Sequence, residues 1–270
     1  MTYFEAAVLG LLQGLTEFLP VSSSGHLVLG QRLLGIDPVG GGKAFEVLLH
    51  FGTVLSIATV YWRDFWHIGR QTAIACAKPA RIQQSWKESE GFRMGFLIGV
   101  TMIPTGIVYL LFDDAIEKAF SSPKLAAGML LVTAGFLFST LLRKNPQGEL
   151  SIGKAFFIGI AQSFAMIPGI SRSGATIATA LGLGVAREKA ARFSFLMSTP
   201  VIIAATLVEI IKMDSGSDSI PWAPMVLGLA IAYVSGVFAI RAVVRVVQRD
   251  SLPYFGIYCL IAGILGLLLL

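Results

Sequence analysis

Glu17 and His26 are ionisable side chains set in an otherwise apolar stretch, with the hydroxyls of Ser22, Ser23 and Ser24 between them. The stretch reads Gln13-Gly-Leu-Thr-Glu17-Phe-Leu-Pro-Val-Ser22-Ser23-Ser24-Gly25-His26. On a helix, residues three or four apart share a face, so Gln13 pairs with Glu17 and Ser23 with His26. A histidine beside a hydroxyl can accept its proton, the minimal arrangement for an activated nucleophile. A carboxylate placed in hydrocarbon costs about 2.5–3.5 kcal/mol on insertion scales unless it is paired or wet. A partner of opposite charge is at hand in a second interrupted apolar stretch, which reads Pro168-Gly-Ile-Ser171-Arg172-Ser173-Gly174. A Glu17–Arg172 pair that merely locks the two stretches together would satisfy both charges as well.

The serines also admit two readings. One of them is expected to cap the helix that runs through His26. A helix N-terminus in addition presents free backbone N–H groups and positive dipole, which suits an anion. Ser171-Arg172-Ser173-Gly174 opens a second helix in the same way and adds a guanidinium, whose fork matches phosphate oxygens better than lysine does. Two such N-termini meeting at mid-membrane would make a phosphate cradle, so the substrate is expected to be anionic. Carboxylate and phosphate oxygens suit a hard divalent cation such as Mg²⁺ or Ca²⁺, held by few protein ligands; Glu17 is the expected ligand and Gln13 a weaker one. Glu46 and His50, four apart at the start of a long span, either reach this site from the side or simply sit at a helix end. Val39-Gly-Gly-Gly-Lys43-Ala44 lacks the first glycine and the hydroxyl residue of a P-loop, and no His/Cys spacing supports zinc.

The elements that must position these groups are membrane helices. Of 270 residues, 55% are apolar and 14% charged, against about 25% charged in soluble domains, which excludes an ordinary soluble enzyme and equally a disordered chain. Two distant cysteines, Cys76 and Cys259, form no disulfide framework. The net charge of +5 reads as cytoplasmic loop bias rather than nucleic-acid binding. About 20 apolar residues cross a bilayer once, and runs of that order fall at 45–62, 92–112, 124–142, 193–211, 222–240 and 253–270. The two interrupted stretches, Tyr3 to Gly35 and Lys154 to Gly184, each consist of half-length helices around a Pro/Gly/Ser break, which predicts re-entrant hairpins. Basic residues cluster in 63–91, at Arg143 and Lys144, at Arg187, Lys189 and Arg192, and at Arg241, Arg245 and Arg249. Asp113, Asp114 and Glu117, and separately Asp214 and Asp218, mark the opposite side. Six crossings and two hairpins make every loop alternate correctly, with both termini and the first hairpin outside.

A shift of 149 residues places Gly10, Gln13, Ser22, Ser24, Gly25 and Gly35 on Gly159, Gln162, Ser171, Ser173, Gly174 and Gly184. Three spans follow each hairpin, so the second copy is upside down relative to the first. The expectation is a single all-α polytopic membrane domain, 1–270, of about six transmembrane helices plus two re-entrant hairpins. It is built as an inverted-topology repeat of 1–142 and 150–270 with a shared site near the midplane.

The two motifs, together with Phe45-Glu46-Val47, Phe193-Ser194-Phe195 and Ala175-Thr176 after the second serine motif, closely resemble the bacterial undecaprenyl-pyrophosphate phosphatases of the bacitracin-resistance family over the whole chain. The resemblance implies an integral hydrolase of the bacterial cytoplasmic (inner) membrane. It would remove the terminal phosphate of undecaprenyl pyrophosphate and so recycle the lipid carrier of peptidoglycan synthesis. It implies Ser23 as nucleophile, with His26, Glu17 and the phosphate-binding Arg172 as the other catalytic groups. Ser22, Ser24, Gly25, Ser171, Ser173, Gly174, Thr176 and Gln13 would contact the pyrophosphate. Position 13 carries Gln where the family's element allows Glu or Gln. The expected partners are a polyprenyl diphosphate and the bilayer, with no nucleic acid; a homodimer is a further expectation. In the expected reaction His26 takes the Ser23 proton and the site opens to the outer, periplasmic face, although attack by water or by His26 would use the same residues. A secondary transporter or polyprenyl-phosphate flippase is the alternative, since it shares the inverted-repeat plan. Glu17 and His26 align with Met166 and Ala175, so the proton-handling groups lie in one hairpin only, which favours the enzyme.

Overall fold

The computed structural model describes residues 2–34, 42–142, 145–212 and 222–269. Among them the protein is helical, with one isolated bridge between Gly148 and Val185. In chain order the helices are α1 (Tyr3–Phe18), α2 (Ser23–Leu34), α3 (Gly42–Val60), α4 (Trp62–Cys76), α5 (Ile82–Glu88), α6 (Glu90–Phe120), α7 (Pro123–Ser139), α8 (Ile152–Phe164), α9 (Arg172–Gly182), α10 (Arg187–Lys212), α11 (Trp222–Gln248) and α12 (Leu252–Leu269). Five stretches are long and apolar enough to cross a bilayer: Glu90–Phe120, Pro123–Leu142, Arg187–Val208, Trp222–Gln248 and Leu252–Leu269. The pair Phe45–Val60 and Trp62–Cys76, bent by 81°, makes a sixth if it is counted as one span. Among the described residues five of the expected apolar runs are thus single helices and the run at 45–62 is the first arm of the bent pair; the protein is an all-α integral membrane protein.

Both expected helix breaks are present. At ~1.5 Å per residue, α1, α2, α8 and α9, of 16, 12, 13 and 11 residues, all fall short of the ~30 Å hydrocarbon layer. Pro20 and Pro168 stand in the breaks, where a missing N–H ends a helical run. Ser22 (φ 71°) and Gly169 (φ 97°) turn the chain through the left-handed region. Close glycine contacts then bind the short helices to long ones. A Cβ on Gly10 would lie 2.4 Å from the Gly228 carbonyl, fastening α1 to α11, and one on Gly159 would lie 2.7 Å from the Thr101 carbonyl, fastening α8 to α6. Gly10 and Gly159 are counterparts in the 149-residue shift.

Two segments read as loops are helical. Within 63–91, Phe65, Ile68, Thr72 and Ala75 recur at helical spacing, and α4 lays that face against α6; the Gln71 amide oxygen accepts from the Gly91 N–H at 2.7 Å. Arg192 of α10 holds Asp64 and, at 3.3 Å, Glu90, tying three helices together at this end. The acidic segment after 112 continues α6 to Phe120 beyond a non-helical residue, Phe112 (φ −130°, ψ 17°). Gly35, residues 39–41, Arg143, Lys144, Asp214 and Asp218 lie outside the described residues.

Candidate active site

The site forms where the α1–α2 elbow meets the α8–α9 elbow. A Cβ on Gly25 would stand 2.9 Å from the Gly169 Cα, and one on Gly174 would stand 3.4 Å from the Pro20 ring. The Ser173 hydroxyl donates to the Leu19 carbonyl at 3.3 Å. Behind the second elbow, Thr133 of α7 donates to the Gly169 carbonyl and accepts from the Ser171 N–H, both at 2.8 Å. Position 169 can only be glycine, since its φ is positive and a Cβ would fall 2.1 Å from the Ala126 carbonyl.

This interlock brings Arg172, the first residue of α9, onto Glu17 in the last turn of α1. Arg172 Nη2 lies 2.5 Å from Glu17 Oε1. The other carboxylate oxygen, Oε2, accepts from Ser23 Oγ at 2.5 Å and from Gln13 Nε2 at 3.0 Å. Among the described residues, two buried polar atoms of these side chains are without a hydrogen-bond partner, Arg172 Nη1 and Gln13 Oε1. Groups so placed ordinarily mark a ligand or water position.

The serine caps are real. Ser22 Oγ accepts from the Gly25 N–H at 3.3 Å, and Ser171 Oγ accepts from the Gly174 N–H at 3.1 Å. Each lies next to its second serine, Ser24 at 3.3 Å and Ser173 at 3.2 Å. The remaining N–H groups of the first turns of α2 and α9 have no intrahelical acceptor, so both helices open toward the same small region.

His26 differs from the expectation drawn from spacing. Among the described residues no hydrogen bond joins it to Ser23. Its Nδ1 lies 2.8 Å from the Ser22 carbonyl and its Nε2 2.7 Å from the Tyr258 hydroxyl of α12. A carbonyl only accepts, so Nδ1 carries the proton and Nε2 is the basic atom. The elbow explains the change: it folds α2 back over α1, which sets Ser23 on the carboxylate six residues earlier rather than on its helical neighbour.

Glu46 accepts from Gln31 Nε2 of α2 at 2.7 Å, and His50 Nδ1 lies 2.8 Å from the Glu46 carbonyl. Among the described residues no hydrogen bond joins either side chain to Glu17, Ser23 or Arg172; Glu46 instead ties α3 to α2. The Thr176 hydroxyl is engaged by the Arg172 carbonyl and the Ser194 hydroxyl, both at 2.7 Å. Tyr258, Thr133 and Ser194 escaped the sequence reading because their roles come from neighbours remote along the chain; a tyrosine in a terminal apolar span carries no local sign of a histidine partner.

Among the described residues no group of three or more His, Cys, Asp or Glu side chains gathers as a metal cluster. The donors that suit a hard cation are the Glu17 carboxylate and the orphaned Gln13 Oε1. That donor set fits an ion taking one or two protein oxygens and completing its shell from water and phosphate.

Chemically, the arrangement pairs a hydroxyl with a proton acceptor and places an incompletely used guanidinium and two helix N-termini beside it. The family described as "Bacitracin resistance protein BacA" matches residues 6–265. The chain is 48% identical over 270 residues to the undecaprenyl-diphosphatase of Salinibacter ruber, covering 100% of both chains. It is 41% identical over 269 residues to that of Parabacteroides distasonis (98% of this chain, 97% of the relative). It is likewise 41% identical over 273 residues to that of Halothermothrix orenii (100% and 98%).

Proposed function

The chain belongs to the bacitracin resistance protein BacA family, and from that membership we infer that it is an undecaprenyl-diphosphatase, an integral hydrolase of the bacterial inner membrane. It removes the terminal phosphate of undecaprenyl pyrophosphate to give undecaprenyl phosphate and inorganic phosphate. The observation that carries the catalytic assignment is the double use of Glu17, with Arg172 on one carboxylate oxygen and Ser23 on the other, each at 2.5 Å.

We propose an in-line displacement. Ser23 Oγ attacks the terminal phosphorus, its proton passes to Glu17 Oε2, and the bond from phosphorus to the bridging oxygen breaks as undecaprenyl phosphate leaves. Arg172 Nη1 and the open N–H groups of α2 and α9 offset charge on the transferring phosphoryl oxygens. As Arg172 engages phosphate its hold on Glu17 slackens, which leaves the carboxylate freer to take the serine proton. A water that gives its proton to His26 Nε2 then attacks the phosphoserine. Inorganic phosphate departs, Ser23 recovers its proton from Glu17, and His26 Nε2 releases the water proton to solvent. Mg²⁺ or Ca²⁺, held by Glu17 and Gln13 Oε1, would supply further compensation for phosphate charge.

The loop-charge bias supports a site that opens to the outer face, and the matched helix breaks support two inverted repeats, 1–142 and 150–270. The test is phosphate release from a long-chain prenyl diphosphate by the purified protein in detergent, with and without chelator. Release that chelator abolishes and Mg²⁺ or Ca²⁺ restores is the expected result; no release from that substrate would defeat the assignment.

A further inference from the structure

We infer that Tyr258 is the positioning residue for His26 in the reaction proposed above, an inference that rests on that reading and adds to it. The two residues are 232 positions apart, yet the Tyr258 hydroxyl lies 2.7 Å from His26 Nε2, and the ring planes are within 11° of parallel with centroids 5.6 Å apart. With Nδ1 on the Ser22 carbonyl at 2.8 Å, both ring nitrogens are held, which sets the tautomer and the plane of the imidazole together. The Ser22 carbonyl is delivered by a residue in the left-handed region (φ 71°), a conformation a serine seldom adopts. The ring is thus fixed from two sides, once by a turn that L residues rarely make.

Packing does not account for the hydroxyl. Tyr258 is 47% exposed, and a phenylalanine would fill the same place at lower cost in hydrocarbon. What packing does account for is where the hydroxyl arrives. Small residues of α12 press against α7: a Cβ on Gly263 would lie 2.8 Å from the Ala127 carbonyl, and one on Gly256 would lie 2.9 Å from the Phe138 ring. Between them, Cys259 is fully buried with its Sγ 3.7 Å from the Pro20 carbonyl in the first elbow. That register leaves α12 little freedom to slide, so the neighbouring residue, Tyr258, meets His26 at one height. The phenol holds the basic nitrogen in the resting protein, so tautomer and ring plane are already set when the water of the second step exchanges with it. The side chain is free enough at the surface to give way.

The test uses the purified full-length protein in detergent, with Tyr258→Phe as the variant, ¹⁵N shifts of the His26 ring (assigned by their loss in His26→Gln), and phosphate release as a second readout. The unmodified protein is expected to show His26 as the Nδ1–H tautomer alone. Tyr258→Phe should show a displaced Nε2 resonance and mixed tautomers, with kcat lower by about tenfold or more and KM within about twofold, in the range of positioned acid–base groups. Tyr254→Phe, one turn away on α12, should change neither. If Tyr258→Phe fails to fold, Tyr258→His, which returns a ring donor to the position, should keep the wild-type tautomer and most of kcat; a mixed tautomer there would overturn the inference. His26 shifts and kcat unaltered in a folded Tyr258→Phe protein would also overturn it. Absence of phosphate release by the unmodified protein defeats the proposed reaction instead, so the two failures are told apart.

Discussion

A carboxylate that holds a guanidinium with one oxygen and a serine with the other divides its charge between them, and the chemistry at Glu17 turns on how that division shifts when phosphate arrives. Replacing Arg172 with Lys keeps the charge but loses the second donor, Nη1, left open beside Glu17. The expected result is a fall in phosphate release of about 10²-fold, the usual cost of one donor to a developing oxyanion; unchanged release would undo the cradle. Ser23→Ala should abolish turnover while leaving the Arg172–Glu17 contact intact, and near-normal turnover would eliminate the serine as nucleophile. Glu17→Gln strips Arg172 of its counter-charge in a part-buried setting where its side chain is 16% exposed. Breaking a buried pair by removing one partner costs about 3–5 kcal/mol, so a lower melting temperature in detergent should accompany lost activity. At this scale Glu17, Ser23, Arg172 and His26 were all legible in the sequence, because ionisable groups in an apolar stretch need a reason. The resting partner of the Ser23 hydroxyl was not legible: helical spacing pairs Ser23 with His26, and only the elbow sets it on Glu17.

The helices that carry the candidate site are too short to cross a bilayer, and each break is held by particular contacts. Gly169→Ala meets both a positive φ and a carbonyl 2.1 Å from the new methyl. Strain of this kind costs about 1–3 kcal/mol or more, and it would be released by moving the second elbow, Arg172 with it. The expected outcome is a lower melting temperature together with lost phosphate release, and a fully active, equally stable variant would show that the elbow is not held as described. On α1, Gly14 faces Ala232 and Ser235 of α11 so closely that a Cβ would lie 2.4 Å from the Ala232 carbonyl. The breaks, caps and close-approach glycines were readable from Pro, Ser and Gly at fixed offsets. The helical character of 63–91 was hidden because its many basic residues look like loop, and only α6 shows which face of α4 is covered.

For the molecule as a whole, the loop-charge bias supports an outward-facing first hairpin, and labelling can check it. A cysteine placed at Ser24, in a background with Cys76 and Cys259 replaced, should react from outside with a thiol reagent that does not cross the membrane; labelling only from inside would reverse the orientation. The site is also divided between the two halves of the chain. The first elbow carries Glu17, Ser23 and His26, the second brings Arg172, and the tyrosine on His26 comes from the last helix of the second half. Neither half alone assembles the site.

Composition and periodicity by themselves determined that this protein is a bundle of membrane helices with two broken ones, since burial in hydrocarbon tolerates no other backbone. Ionisable residues in the breaks likewise declared where the chemistry lies. Only the tertiary structure decided the pairings: Ser23 on Glu17, and His26 between Ser22 and Tyr258. The physical reason is that a hydrogen bond is settled within a few tenths of an ångström, whereas sequence spacing locates a side chain only along its own helix. Where two elbows fold back and interlock, the nearest partner is supplied by another part of the chain.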